Sequence, residues 1–264
     1  MKTRLFWLVL GLSGCSCLSL ANDFPRLIWQ DEFDGSGLDS NKWEFEVNAR
    51  GGGNNELQYY VTNNAWVSNG CLYIEARQER YTGPEGIREF TSSRLRTLGR
   101  GDWRYGRFEI RAKLPIGQGY WPAIWMLPTD KVYGGWPKSG EIDIMEIIGH
   151  KPNLLHGTLH YEGMKGWHTF HGTNTTLRTG TFADDFHVFG LEWRPGEMRW
   201  FLDQQLYLVQ TNWPTKVGAY PAPFDQKFHM ILNVAVGGNW PGPPEPTTIF
   251  PQAMVVDYVR VYGK

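Results

Sequence analysis

Three acidic side chains crowd into six residues of this chain: Glu141, Asp143 and Glu146, within Gly140-Glu141-Ile142-Asp143-Ile144-Met145-Glu146-Ile147-Ile148-Gly149. They alternate with β-forming residues, so the segment reads as a strand with negative charge on one face. In a regular strand Glu141, Asp143 and Met145 share a face, and Glu146 points the other way. That would bury a lone carboxylate beside Ile142 and Ile144, an expensive outcome. One extra residue, a β-bulge near Ile144–Met145, resets the phase and brings Glu146 round beside Asp143. Like charges this close raise the pKa of one partner, so one carboxyl stays protonated while another is ionised near neutral pH. Glycoside hydrolysis needs that division of labour. Retaining enzymes hold the two working carboxyls about 5–5.5 Å apart and inverting enzymes about 6.5–9.5 Å. Two Glu side chains leaning together across a shorter Asp reach the smaller figure. An exposed acidic strand face, with or without calcium, is the competing reading of the same residues.

The elements that must position these groups are strands. In Arg107-Phe108-Glu109-Ile110-Arg111-Ala112-Lys113-Leu114 every second residue is apolar and the others are charged, the pattern of a half-buried antiparallel strand. Similar alternation runs through 72–76, 198–202, 228–236 and 254–261. Turn clusters such as Gly51-Gly52-Gly53-Asn54-Asn55 and Gly237-Gly238-Asn239-Trp240-Pro241-Gly242 punctuate the chain, and no stretch has helical periodicity. Many short strands with frequent turns predict an all-β sandwich or barrel. From Asn22 onward there is no repeat, low-complexity tract or linker, so 22–264 is expected to form a single domain.

The first 21 residues read as an export signal: Lys2 and Arg4 precede an apolar stretch, Leu5 to Leu12, that is too short to span a bilayer comfortably. Two exits follow. Leu12-Ser13-Gly14-Cys15 resembles a bacterial lipobox, which would leave a lipid anchor on Cys15, whereas Ser19-Leu20-Ala21 offers the small residues of ordinary signal cleavage. Either way the expected location is outside the cytoplasm: extracellular, or held as a lipoprotein facing the periplasm or outer membrane. Cys15 and Cys17 lie in this segment and Cys71 stands alone, so no intrachain disulfide and no cysteine metal site is expected in the mature chain. A formal net charge of -1 gives no field that would favour nucleic acid or an anionic membrane. The 13 Trp are more than a core readily hides, because each indole N–H wants a partner. Core packing and stacking against sugar rings are both open to them.

These segments together resemble glycoside hydrolase family 16. Glu141-Ile142-Asp143-Ile144-Met145-Glu146 matches its E-x-D-x-x-E signature in the bulged form carried by laminarinases. The resemblance also takes in Trp29–Gly35, Asn54–Tyr60, Gly119–Pro128, His156–Tyr161, Leu232–Gly242 and Val256–Tyr262, in order along nearly the whole mature chain. One departure is Ile147, where many laminarinases have an aromatic residue. The resemblance implies a jelly-roll, concanavalin A-like sandwich of two antiparallel sheets with a concave cleft. It also implies endo-β-1,3-glucanase activity by retention, with Glu141 as nucleophile, Glu146 as acid/base and Asp143 holding the nucleophile.

The resemblance assigns further residues to substrate. Trp121 and Trp125, four apart on one strand and so on one face, would line the negative subsites. Trp240 and Asn239, in a Gly/Pro-rich loop, would wall a β-1,3-specific cleft. Asn55 and Arg94 would hydrogen-bond sugar hydroxyls, against the alternatives of a turn former and a surface ion pair. His160 would sit beside the nucleophile, or serve only as a hydrogen-bonded strand histidine. The other histidines show no zinc spacing. Glu32, the Gly70 carbonyl and Asp257 occupy positions that hold a structural calcium in many members, and no catalytic cofactor is implied. The expected partner is a β-glucan, some of it of mixed linkage, and the expected state is a monomer. A catalytically silent glucan-binding protein on the same fold, or a member acting on another β-linked polysaccharide, are the rival readings. The first would be expected to lack one or both glutamates, and both are present here.

Overall fold

A computed structural model describes residues 23–264. The expected export signal and the lipobox-like residues that end at Cys15 lie outside the described residues.

Two eight-stranded sheets carry the fold. The first runs in the order β18 (Gln205–Gln210), β17 (Glu197–Leu202), β16 (His187–Arg194), β11 (Gly106–Lys113), β20 (Gln252–Gly263), β5 (Cys71–Ala76) and β4 (Ala65–Ser68). Strand β1 (Arg26–Asp31) adds to β20. The second runs β15 (His168–Thr176), β14 (Leu154–Glu162), β13 (Glu141–Glu146), β12 (Tyr120–Pro128), β19 (Phe228–Val236), β9 (Arg94–Arg96) and β2 (Glu44–Phe45). Strand β10 (Asp102–Trp103) pairs with β19. All pairing in both sheets is antiparallel. Two small pairs, β3 (Gln58–Tyr60) with β8 (Phe90–Ser92) and β6 (Tyr81–Gly83) with β7 (Gly86–Arg88), complete the strands. The helical content of the described residues is two 3₁₀ turns.

The period-two pattern places the core between the sheets. Phe108, Ile110 and Ala112 of β11 turn inward, while Arg107, Glu109 and Arg111 turn out into ion pairs with Glu192 and Asp257. Ile124, Met126, Ile142, Leu155 and Leu232 of the second sheet meet Leu191, Trp193, Met198 and Trp200 of the first in one buried cluster. Four Trp, at 43, 193, 200 and 213, are wholly inside this packing. The β4–β5 hairpin closes on Asn69-Gly70, both at positive φ (52° and 71°), the conformation that a tight two-residue hairpin turn requires.

Two strands depart from simple alternation. Strand β19 is buried along all nine residues rather than on one face. Its outward side is roofed near the cleft: Asn233 Nδ2 donates to the Tyr60 hydroxyl at 3.1 Å, and its Oδ1 accepts from Trp125 Nε1 at 2.7 Å. In β20 the inward residues are Met254 and Val256, then Val259 and Val261, because the register against β11 slips at Asp257.

Candidate active site

The acidic strand β13 is bulged where burial cost requires it. Trp125 faces Asp143 and Ile124 faces Met145, so Ile144 is the unpaired extra residue. On the other side the register against β14 skips from Asp143–Thr158 to Glu146–His156. Ile142, Ile144 and Met145 are thereby all buried, and Glu141, Asp143 and Glu146 emerge on the outward face. The carbonyl of Asp143 accepts a hydrogen bond from Trp200 Nε1 at 2.8 Å, reaching across from the other sheet. Gly157, on β14, makes room for that indole: a Cβ there would lie 2.7 Å from the Trp200 ring.

Each carboxyl has its own neighbour. Trp136 Nε1 donates to Glu141 Oε2 at 2.8 Å, and Trp121 Nε1 donates to Glu146 Oε1 at 2.9 Å. Asp143 lies between them, 1% exposed, with Oδ2 taking no hydrogen bond; His160 Nε2 approaches it to 3.2 Å. Burial pushes Glu141 up to about 8, reinforced by the charges of Asp143 and Glu146 and opposed by His160 and the Trp136 N–H. Asp143 rises to about 8 through burial, opposed by its hydrogen bond with Glu141. Glu146 rises to about 8 through burial and then the Asp143 charge, against the Trp121 N–H. Protons in so tight a group belong to the cluster, which still holds some of them at neutral pH. Glu141, Asp143 and His160 offer ligand atoms within 4.8 Å of one another.

Strands β12 and β19 build the cleft floor on one side of these acids. Trp121, Ala123 and Trp125 alternate on one face of β12, and Ala123, paired with Glu146, leaves open space between the two indoles. Asn233 and Ala235 continue the floor, and Arg94 lies with its guanidinium carbon 4.7 Å from the centre of the Trp125 ring. Arg94 also pairs with Glu46, so the ion-pair reading and a place in the cleft both hold for it. Asn55 sits at φ 59° and donates from Nδ2 to Asn239 Oδ1 at 2.9 Å. It is therefore a turn former that also ties the first cleft loop to the Gly-rich loop. Trp240 of that loop packs edge-on against Trp121 (5.4 Å, 82°) and His156 (5.0 Å, 80°) while remaining 39% exposed.

The expected calcium positions fall elsewhere. Register puts Asp31 opposite Val259 and Leu72 opposite Val256, so Glu32, Gly70 and Asp257 flank one short stretch of β20. Asp34 joins them, its Oδ1 4.0 Å from where a Cβ on Gly70 would stand. Oxygen donors from three separate elements suit a hard cation. Two guanidinium groups already meet these carboxylates: Arg260 reaches Glu32 at 2.7 and 2.8 Å, and Arg111 reaches Asp257 at 2.6 Å.

Several contributors were not foreseen from sequence. Trp136 follows Gly134-Gly135 and precedes Pro137, so the argument that singled out Trp240, an indole in a Gly/Pro loop, applies to it equally. Asn233 orients Trp125 but has no local mark within its apolar run. His168 donates to or accepts from His160 across 2.8 Å, a contact that depends on pairing between β14 and β15.

Comparison with known proteins places this geometry among enzymes. The family model "Glycosyl hydrolases family 16" matches residues 52–260. The chain is 48% identical to a "Beta-glucanase" of Rhodothermus marinus over 284 aligned residues, covering 99% of this chain and 95% of that protein. It is 44% identical to a "Glucan endo-1,3-beta-glucosidase" of Cryptopygus antarcticus, with 82% of each covered. Among solved structures, the catalytic domain of an endo-1,3-beta-glucanase (laminarinase) from Thermotoga petrophila superposes with a TM-score of 0.82 at 43% identity, over 90% of this chain and 98% of that one.

Proposed function

The chain belongs to glycosyl hydrolases family 16, and from that premise we propose that it is an endo-β-1,3-glucanase that cleaves laminarin-type glucans with retention at the anomeric carbon. The observation that carries the reading is the bulged strand that sets Glu141, Asp143 and Glu146 on one face, two of them each held by an indole N–H. Glu141 attacks the anomeric carbon and forms the glycosyl-enzyme; Glu146 protonates the leaving oxygen and then activates water. Asp143, buried beside Glu141 and hydrogen-bonded to it, shares the protons of the cluster with the nucleophile, so that the pair supplies one ionised carboxylate for attack. Trp121 and Trp125, with Ala123 between them, hold the glycone rings, and Trp240 and Asn239 wall that side. No step calls for a cofactor.

Relatives named for mixed-linkage activity, such as the endo-1,3-1,4-beta-glycanase of Rhizobium meliloti (30% identical), support some action on mixed-linkage glucan as well. Export rests on the basic and apolar residues of the first 21, and a lipid anchor on Cys15 and a monomeric state belong to the same proposal. A convex-side calcium held by Glu32, the Gly70 carbonyl and Asp257 would be structural, tying β1, the β4–β5 turn and β20 together.

Reducing-end release from laminarin, beside lichenan and agarose, tests the activity in wild type and Glu141→Ser. Rapid release from laminarin that the variant abolishes is expected. Binding of laminarin without release in wild type would instead make the chain a glucan-binding protein.

A further inference from the structure

Strand β15 is an edge strand, yet its outward face carries large rings. His168 and Phe170 sit two apart on that face, and Phe170 is 63% exposed. An exposed aromatic on a sheet edge is a liability unless something covers it. These rings are continuous with the catalytic centre. The His168 ring lies 4.7 Å from that of Trp136, which is itself 56% exposed and hydrogen-bonded to Glu141. His160 and His168 stack at 5.0 Å with 19° between their planes, and Phe170 stands 5.9 Å from His160.

Register turns this strip into a path. Glu141 pairs with His160 on β14, and His160 pairs with Phe170 on β15, so the three form one row across the sheet. Strands in a sheet are about 4.8 Å apart, which puts Phe170 roughly 10 Å from the nucleophile strand, the length of about two pyranose residues. The row leads away from the Trp121–Trp125 side of the cleft, because β12 and β14 flank β13 on opposite edges.

We propose that Phe170, approached over His160 and bordered by Trp136 and His168, is a stacking platform for the leaving-group end of the glucan, about two sugars beyond the cleaved bond. This rests on the glucanase reading above, with the glycone on the Trp121–Trp125 side. Apolar pyranose faces stacking on this strip would cover the edge-strand rings, and the enzyme would favour substrates with at least two sugars past the scissile linkage. Phe170 touches none of the three acids; its contribution is to binding of the departing chain.

The test compares laminarihexaose, which reaches β15, with an aryl laminaribioside, whose leaving group is a single ring next to the scissile bond. In Phe170→Ala the ratio of kcat/KM for laminarihexaose to that for the aryl glycoside is expected to fall about tenfold, the effect of losing one aromatic contact. Phe170→Trp should restore the ratio, and the hexaose products of the alanine variant should shift towards shorter leaving fragments. An unchanged ratio in Phe170→Ala would overturn the platform, whether both activities persist or both fall together. Wild-type silence on both substrates would instead overturn the glucanase reading on which it stands.

Discussion

Glu141 is held in a position that suits catalysis and costs stability. Its folded-state pKa of about 8 lies well above the ordinary 4.5, so between these values the folded chain binds protons that the unfolded chain has released. The contribution of the carboxyl cluster is therefore fully present below about pH 4.5 and is lost as pH rises towards 8. Glu141→Gln removes one member of the cluster without changing its shape. Thermal midpoints followed by circular dichroism should be similar for the two proteins near pH 4, and the variant should be the more stable by pH 8. A constant offset across that range would deny the raised pKa. The roles of the two glutamates are separable by azide rescue. Azide should convert Glu146→Ala turnover into a β-glycosyl azide, formed from the glycosyl-enzyme. With Glu141→Ala it should give an α-azide by direct displacement. Without azide, loss of the acid/base is expected to cost about 10²–10⁴-fold in rate. The opposite pattern of azide stereochemistry would exchange the assignments.

At the scale of the element, the bulge in β13 decides whether the acids meet, and the Trp200 indole supports it from the far sheet. Trp200→Phe leaves the buried Asp143 carbonyl without its donor, a loss of about 1–3 kcal/mol. Trp193→Phe is the matched comparison, since Trp193 Nε1 donates to the Phe224 carbonyl at 3.1 Å, away from the catalytic strand. Both variants should melt earlier, but only Trp200→Phe should also lower kcat on laminarin; equal kcat values would confine Trp200 to the core. The bulge itself was legible in the sequence, because one carboxylate would otherwise have been buried among isoleucines. The same reasoning reaches Asp257: one unbroken period through Val259 and Val261 would bury it, so the alternation read over 254–261 holds only with a change of phase between Val256 and Val259. What local sequence does not hold is lateral register. The row Glu141–His160–Phe170, the hydrogen bond from Trp200 and the roofing of β19 by Tyr60 each join residues from different strands. Their partners are selected by long-range pairing, so no period within one strand announces them.

At the scale of the whole molecule, the cleft sheet is only as firm as the sandwich behind it, and that sandwich is closed by β20 between β11, β5 and β1. Around this seam the carboxylates of Glu32 and Asp257 are each matched by an arginine, with Gly70 and Asp34 close by. Partly exposed ion pairs of this kind contribute about 0–1 kcal/mol each. A calcium ion bound only to the folded chain would contribute more, about 2.7 kcal/mol at a hundredfold excess over its Kd. For a chain of this size that corresponds to a rise of several degrees in Tm. Addition of calcium to chelator-treated protein is therefore expected to raise Tm by that amount, and Glu32→Gln or Asp257→Asn should abolish the increment. Turnover of laminarin at low temperature should be unaltered by chelation, since the seam lies on the sheet opposite the acids. A Tm indifferent to calcium would mean that the Arg260–Glu32 and Arg111–Asp257 pairs close the seam by themselves. Loss of turnover on chelation in the cold would place the ion in the cleft, beside Glu141, Asp143 and His160.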